Sequence, residues 1–420
     1  MGLGVGIRAP LKRRRKHLRD LKAVGVAALE AIDDPLLASM ARVVEIDDLS
    51  LGLHLHPAAE YVYFELRPDE LKASSKTSTV GPGYHAYVVE LLERMGERHG
   101  LAWSWEPDDD DEDAIGDECG YHADHDFEAL QQQMQAFLRA LVAIDDEGET
   151  DNVRICLPFD FDPVRPGEIC SPAGPLTRTW LRDVAAASEA RIAELAPTFF
   201  AWWTKGCDAA FWNGYGRSLC WTEIPWHPPA TDAERRSYDH AIAAFARSLA
   251  LDPQVMLPDL EVAELKRLRD APVADAGPPR PSGIGFRRGD MRWHISAGWT
   301  LQAPGYWYDD LDDGSLVLWF KDKTIRACSF TVEGRAATDI LASSTKSHRD
   351  VADDQLVRWE SRHLIAEGVY RWTDDGDGYW MLESSVAMDG SLCVLTICFE
   401  DPADRAWAET TLRSVKRPPP

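Results

Sequence analysis

The residues with the clearest potential for chemistry are Cys119, His122 and His125, in the segment CGYHADHDF. A thiolate and two imidazoles are ligands that zinc prefers, and a neighbouring aspartate could complete a set of four. A spacing of three brings such side chains together only in a helix, whereas Gly120 and the preceding acids indicate a loop. Two interpretations follow: a zinc site, and a solvated loop before a helix. The loop is the simpler of the two.

A second candidate is the pair Tyr84 and His85, which follows the turn-forming residues Gly81, Pro82 and Gly83. At the start of a helix, a phenol and an imidazole could act as an acid/base pair. The simpler alternative is that these rings pack against the helix entry and fix its angle.

His54 and His56 alternate with leucines, a period of two that predicts a half-buried strand. The histidines would then lie on the polar face, either plainly in solvent or lining a shallow cleft with His85. Asp374, Asp375 and Asp377 could hold calcium, but the flanking aromatic residues favour a hairpin turn. GLGVGIR lacks the order of a phosphate-binding loop, and we expect no cofactor, with zinc as the one alternative left open.

The net charge is −25, and it is unevenly spread. Residues 1–22 carry eight Lys or Arg and a single acid, whereas residues 106–118 hold nine acids. An acidic body repels nucleic acid and anionic lipid, so nucleic-acid binding by KRRRK at 12–16 is the weaker interpretation of that segment. We expect the basic segment to neutralise the acidic body or to lie in solvent, and we expect a basic protein partner.

The compartment is predicted from the cysteines and from hydropathy. Eight cysteines are scattered without a CxxC pair, and the opening residues lack the apolar core of a secretory signal. No stretch approaches eighteen uninterrupted apolar residues, so no membrane span is predicted. We therefore expect a cytoplasmic protein with reduced thiols.

A chain of 420 residues is too long for one ordinary hydrophobic core, so several domains are predicted. Hydrophobic periodicity indicates both helices and strands, which predicts a multidomain α+β protein. The Leu alternation, YVYFEL and the helix in 86–100 indicate an α+β domain, which VRICLP at 153–158 could join. Later segments that read as strands include MRWHISAGWTL, SLVLWF, TIRACSFTV, HLIAEGVYRW, YWMLESSVAM and SLCVLTICFE. The predicted parts are a basic lead and helix (1–48), an α+β domain (49–171), a helical Trp-rich connector (172–270), a Pro/Gly linker (271–284) and a strand-rich domain (285–416).

Five tryptophans lie between positions 202 and 226, among several other aromatic residues. Such a cluster forms either a packed core or an adhesive surface. Its place between a helix ended by Pro197 and one capped by Thr231 favours packing between elements. Trp221, Trp226 and His227 are the residues that we expect to remain exposed and available to a partner.

The last third resembles the Mog1/PsbP-like α/β/α sandwich proteins. Gly289-Asp290 and MRWHISAGWTL are similar to the first strand of that fold and to its Pro-x-Gly-Trp entry, although Ala297 stands where Pro is usual. The segment Asp389–Val415 is similar to its closing hairpin strand, its Asp-Arg-x-Trp helix start and its terminal Ser. The resemblance implies a sandwich with a largely antiparallel sheet. It also implies a binding or assembly role, because the family has no shared catalytic residues.

The sequence therefore favours a non-catalytic interaction or accessory protein, of a chaperone-like or immunity-type kind, that binds a partner through an acidic or aromatic surface. The competing hypothesis is a metal-dependent hydrolase that uses Cys119, His122 and His125, with Tyr84 or His85 nearby. No residue pattern decides between these two classes.

Overall fold

The computed structural model describes residues 3–11, 18, 20–107, 115–145, 153–154, 162–163, 168–348, 351–374 and 378–417. The basic segment at 12–16 and residues 375–377 of the TDDGDG turn lie outside the described residues. The chain divides into two compact units. Unit 1 comprises Met1–Leu157, Arg165–Ile224 and Thr231–Lys266, and unit 2 comprises Pro158–Val164, Pro225–Ala230 and Arg267–Pro420. The segment predicted as a helical connector thus contributes residues to both units.

The strands are numbered in chain order. They are β1 (Gly4–Pro10), β2 (Arg42–Glu45), β3 (Ser50–His54), β4 (Val62–Leu66), β5 (Glu70–Lys76), β6 (Gly116–Asp117), β7 (Val153–Arg154), β8 (Asp162–Pro163), β9 (Glu168–Ser171), β10 (Gly174–Thr177), β11 (Asp290–His294), β12 (Thr300–Pro304), β13 (Tyr308–Asp312), β14 (Ser315–Phe320), β15 (Lys323–Thr331), β16 (Leu356–Glu360), β17 (Ile365–Thr373), β18 (Tyr379–Met388) and β19 (Ser391–Phe399).

The α-helices are numbered in the same way. They are α1 (Leu21–Glu30), α2 (Pro35–Met40), α3 (Pro82–His99), α4 (Tyr121–Asp124), α5 (Phe127–Asp145), α6 (Arg178–Ala186), α7 (Glu189–Phe199), α8 (Ala209–Thr222), α9 (Asp232–Leu251), α10 (Asp259–Asp270), α11 (Ala337–Ser344) and α12 (Arg405–Arg413).

Unit 1 is built on an antiparallel sheet with the order β2-β3-β4-β5-β1-β6. The Leu alternation correctly predicted a strand, because Leu51 and Leu53 of β3 are fully buried. α1 packs against β3, with Val43 and Leu51 close to Gly25 of α1, and α3 packs against α1 and β1. The apolar stripe of α3, predicted from residues 86–100, is buried over most of its length.

The prediction that residues 153–158 could join this first sheet is wrong for Val153 and Arg154, the two of them that the structure describes. These two residues instead pair in parallel with β9, in a three-stranded sheet ordered β10-β9-β7. β9 and β10 form a hairpin. The hairpin provides the backbone partner of Val153 and Arg154, so the first sheet is not needed for them.

The helices of unit 1 begin at the residues that local chemistry favours. Asp126 accepts from the amide of Ala129 at 3.0 Å and thereby caps the start of α5. Thr231 accepts from the amide of Glu234, whose carboxylate in turn accepts from the amide of Thr231. This reciprocal pair is a capping box, so the predicted start of α9 is confirmed.

Unit 2 contains a seven-stranded antiparallel sheet with the order β13-β14-β15-β19-β18-β17-β16. α11 packs on its central strands, and Trp407 of α12 meets Phe399 of β19 edge to face. MRWHISAGWTL is not one strand but two, β11 and β12, which pair with each other, and β11 pairs on its other side with β8. The chain turns between them at Ala297 and Gly298, both with positive φ.

The multidomain α+β class predicted from the sequence is confirmed, including the largely antiparallel C-terminal sheet. Among the residues that the structure describes, no helix combines the length and the apolar character needed to cross a bilayer.

Candidate metal centre

The candidate centre consists of His85, Asp117, Cys119 and Thr77, called here the His85 cluster. His85 lies in the first turn of α3, which begins at Pro82 after Gly81. Gly81 has a φ of +121°, a conformation that residues with side chains rarely adopt. Thr77 directly follows β5, and Asp117 is placed by the pairing of β6 with β1. A strand end, a helix start and a sheet edge thus meet at one imidazole ring.

The His85 ring is hydrogen-bonded on both sides and is fully buried. Its Nδ1 lies 2.7 Å from the Thr77 hydroxyl oxygen, and its Nε2 lies 2.9 Å from Oδ1 of Asp117. The Thr77 hydroxyl also lies 3.3 Å from the carbonyl of Leu3, to which it can donate. A continuous polar chain therefore runs through the interior from a backbone carbonyl to a carboxylate.

Asp117 is the acceptor at which this chain ends. Its side chain is 4% exposed, and its oxygens accept from the amides of Cys119 at 2.9 Å and His122 at 2.7 Å. Burial alone would raise the pKa of Asp117, but the hydrogen bonds from His85 and from these two amides lower it below its usual range. The carboxylate is therefore negatively charged at neutral pH.

Cys119 completes the cluster. One ligand atom from each of His85, Asp117 and Cys119 lies within 4.8 Å of the other two, and all three side chains are wholly or largely inaccessible. Burial, followed by the charges of Asp117 and Glu118, raises the pKa of the Cys119 thiol to about 12. The thiol is therefore not a ready nucleophile, since catalytic cysteines have depressed pKa values and some exposure.

The predicted set of Cys119, His122 and His125 is not assembled. His122 Nδ1 lies 2.6 Å and His125 Nε2 lies 3.1 Å from the two carboxylate oxygens of Glu93, on α3. The ring of His122 also stacks on Trp105, with centroids 4.0 Å apart. The segment is not a plain loop either, because Tyr121–Asp124 form one helical turn that aims both histidines at α3.

The prediction of an acid/base pair at Tyr84 and His85 is only partly matched by their placement. The two residues do begin α3, but Tyr84 is fully buried and donates to the carbonyl of Glu60 at 3.3 Å. Burial raises the pKa of Tyr84 well above its usual value, so the phenol stays protonated. The side chain packs near Trp202, in keeping with the packing alternative.

His54 and His56 do not share a polar strand face. β3 ends at His54, and His56 is fully buried among the rings of Trp202, Phe211 and Tyr215. Burial, with a smaller contribution from His54, lowers the pKa of His56 to about 3. His56 accepts through Nδ1 from the amide of Ala58 at 3.1 Å, so the ring is neutral and takes part in the core.

The prediction that Trp221, Trp226 and His227 are exposed is wrong, because all three side chains are at most 1% exposed. Trp221 belongs to the buried face of α8, which packs against α9. In unit 2, the guanidinium of Arg288 lies 3.3 Å above the ring of Trp226. The ring of His227 lies 3.8 Å from that of Tyr308. The prolines that close the segment turn it inward, so these residues offer a partner no accessible surface.

Sequence reasoning missed Thr77, Asp117 and Glu93. Asp117 is one of nine acids in 106–118, and composition alone made it look like part of a solvated run. A usable signal was the Asp-x-Cys spacing just before the short helix, since a side chain there can cap the turn that follows. Thr77 and Glu93 carry no signal in the sequence pattern, because the turn before α3 brings Thr77 to His85 and long-range contacts bring Glu93 to His122 and His125.

Comparison with known proteins gives a likeness of fold for part of the chain. No family model matches the chain, and no curated protein matches it. A crystal structure of a protein from Bacteroides thetaiotaomicron is 13% identical, with 30% of this chain and 48% of that chain covered and a TM-score of 0.26. This chain thus spans about half the length of that protein.

The solution structure of cyanobacterial PsbP from Synechocystis is 15% identical, with 33% of this chain and 96% of that chain covered and a TM-score of 0.19. PsbP belongs to the family that the last third of this chain resembles by its sequence motifs. Likeness at this level says nothing of the activity or partners of this chain.

Proposed function

We propose that this chain is a non-catalytic accessory protein that binds an extended, basic segment of a partner protein. The observation that carries the proposal is an open sheet edge in unit 1, where β2 borders an apolar groove beneath α1. The groups with acid/base or nucleophilic chemistry in the His85 cluster are buried, which favours a binding role over catalysis.

The edge strand β2 has backbone groups available for pairing. Ile46 donates its amide to Ser50 at 3.0 Å, so alternation along the ladder directs residues 42, 44 and 46 toward β3. Val43 and Glu45 then direct their amides and carbonyls away from the sheet. No backbone hydrogen bond is found for these groups among the described residues. Such an edge is a template for an added strand.

The groove beside this edge would receive the side chains of an added strand. It has a volume of about 490 Å³, with Val26 and Leu29 of α1 on one side and Val43 and Glu45 of β2 on the other. Gly25 lets the helix approach Val43 closely, because a Cβ there would lie 3.0 Å from that side chain. Val26 is 54% exposed, so an added strand would cover apolar surface that now faces solvent.

Charge indicates the chemistry of the partner. Glu45 lines the groove, and Asp47 and Asp48 follow at the same end of β2. A hydrogen bond from the amide of Leu49 lowers the pKa of Asp47, which keeps this carboxylate ionised. Arg42, at the other end, is already engaged with His54 at 3.2 Å and lies 3.9 Å from Glu223. A segment with alternating apolar and Lys or Arg residues fits this edge, and the net charge of −25 disfavours a second copy.

The test uses a fluorescent octapeptide of alternating valine and lysine, with binding followed by anisotropy. We expect Val26→Gln to weaken binding about tenfold, because one buried valine is worth about 1.5 kcal/mol. The matched control is Leu311→Gln, since Leu311 is also exposed and lies on β13, an edge strand of the seven-stranded sheet in unit 2. The control should bind as the unchanged protein does.

Two altered peptides separate strand addition from simple charge attraction. Methylation of alternate peptide nitrogens removes the donors that pair with β2, and glutamate in place of lysine reverses the charge. Equal binding of either altered peptide would contradict the proposal. If the free protein forms dimers and Val26→Gln abolishes them, the edge binds a second copy of this chain instead.

A metal-dependent hydrolase is the competing function. It would require solvent to reach Cys119 or His85, and both side chains are buried. Hydrolysis of an ester or phosphoester by metal-loaded protein, lost in Cys119→Ser, would favour that function.

A further inference from the structure

We propose that His85, Asp117 and Cys119 bind a divalent ion of the zinc type, and that this site is structural. The inference is independent of strand addition at β2. This ligand set differs from the predicted set of Cys119, His122 and His125. It keeps Cys119, and His85 and Asp117 take the places of His122 and His125.

The donor types and their convergence support the site. An imidazole nitrogen from α3, and a carboxylate oxygen and a sulfur from the segment that begins with β6, lie mutually within 4.8 Å. These are ligands of zinc in proteins, with bonds of about 2.0 to 2.3 Å that a central ion could form after small side-chain shifts. Three protein donors leave the fourth position of a tetrahedral ion to a water molecule, and the burial of all three side chains keeps a substrate away from that position.

The hydrogen bonds around His85 indicate which of its nitrogens is available. Nε2 of His85 lies 2.9 Å from Oδ1 of Asp117 and, without an ion, donates its hydrogen bond there. When an ion binds, the ring proton moves to Nδ1, which lies 2.7 Å from the Thr77 oxygen, and the Thr77 hydroxyl donates to the carbonyl of Leu3. Nε2 then offers its lone pair to the ion beside the Asp117 oxygen.

The position of Cys119 favours a metal ion over a plain hydrogen bond at this place. The hydrogen bond between Nε2 of His85 and Asp117 has no use for a sulfur atom. A divalent ion uses all three donors: the Cys119 thiol releases its proton to solvent, and thiolate and carboxylate together balance a charge of +2. Thr77 would hold the ring from behind, as the outer partners of metal-bound histidines do.

The consequence for the fold is a cross-link within unit 1. Asp117 and Cys119 belong to the short segment that joins the edge strand β6 to α4, whereas His85 belongs to α3. An ion shared by them would fasten this segment to the main helix of the sheet domain. Metal binding should therefore raise the stability of unit 1.

The experiment measures metal in the full chain purified without chelator, by mass spectrometry and by titration with cobalt(II). We expect close to one ion per chain and a sulfur-to-cobalt absorption band in the near ultraviolet. Cys119→Ser should abolish that band and weaken metal binding at least tenfold. Cys207→Ser is the matched control, because Cys207 is another partly buried free thiol of unit 1, and it should retain both band and affinity.

Serine preserves the size of the Cys119 side chain, and circular dichroism of each variant verifies folding. If Cys119→Ser does not fold, His85→Gln is measured in its place, with loss of metal expected. Absence of bound ion both after purification and after incubation with zinc or cobalt would overturn the proposal. Retention of the cobalt–sulfur band in Cys119→Ser would overturn it equally, because the ion would then lie elsewhere.

Discussion

Gly83 and Trp202 are in direct contact. The amide of Gly83 donates to the carbonyl of Trp202 at 3.1 Å, and a Cβ on Gly83 would overlap the indole ring and the carbonyl of Thr204. The Gly-Pro-Gly turn thus has two roles, since it starts α3 and packs directly against the beginning of the Trp-rich segment. Both ends of this contact belong to unit 1.

Gly83→Ala should therefore destabilise unit 1 by about 3 kcal/mol or prevent its folding, because backbone atoms would have to move to admit the methyl group. Urea unfolding followed by circular dichroism measures this effect. Gly277→Ala is the control, since a Cβ at Gly277 meets no atom within 4 Å. A loss below 1 kcal/mol in Gly83→Ala would show that the contact is looser than described.

Trp202→Ala should cost about 3 to 5 kcal/mol, because it removes a fully buried ring from the centre of the aromatic core. The ring centroid of Phe211 lies 4.1 Å and that of Tyr87 lies 5.1 Å from the indole. Trp372→Ala serves as comparison, since Trp372 is 51% exposed, and we expect a loss below about 1 kcal/mol. Similar losses in both variants, measured by urea unfolding, would contradict the central role of Trp202.

His56 should make the protein less stable in acid. The folded state holds the pKa of His56 at about 3, below its ordinary value of 6.5, mainly because the ring is buried. Between pH 3 and pH 6.5, His56 therefore carries a proton in the unfolded chain but not in the folded chain. Stability is therefore lost as the pH falls below about 6.5, by up to about 1.4 kcal/mol per pH unit.

His56→Asn tests this contribution, because its side-chain oxygen can still accept from the amide of Ala58. The free energy of unfolding, measured from pH 7.5 to pH 4.5, should fall less steeply in the variant. Parallel curves for the two proteins would show that the protonation of His56 does not differ between folded and unfolded chains.

Thr77→Val should weaken metal binding about ten- to a hundredfold, since it removes the acceptor that orients His85. Competition with a chromophoric chelator measures the affinity. Thr79→Val is the matched control, because Thr79 is also buried and lies only two residues away. If both variants bind metal as the unchanged protein does, Thr77 does not position a metal ligand.

The sequence determined those parts of the fold that depend on neighbours along the chain. Period-two leucines gave β3, the stripe in 86–100 gave α3, and Thr231 with Glu234 gave the start of α9. Strands of the C-terminal sheet were predicted from their β-branched and aromatic composition, although β13 and β16 were missed. These features are local, since hydrogen bonds and periodicity within a few residues specify them.

Tertiary structure decided the site and the fate of the aromatic residues. Asp117 reaches His85 because β6 pairs with β1, and Glu93 captures His122 and His125 from another helix. These contacts span about thirty residues of sequence, and no local pattern records them. Burial likewise depends on what packs above a side chain, so a tryptophan-rich segment with glycines and prolines can be wholly interior. The residues with potential for chemistry could be identified from the sequence, but only the folded structure determines which of them are in contact.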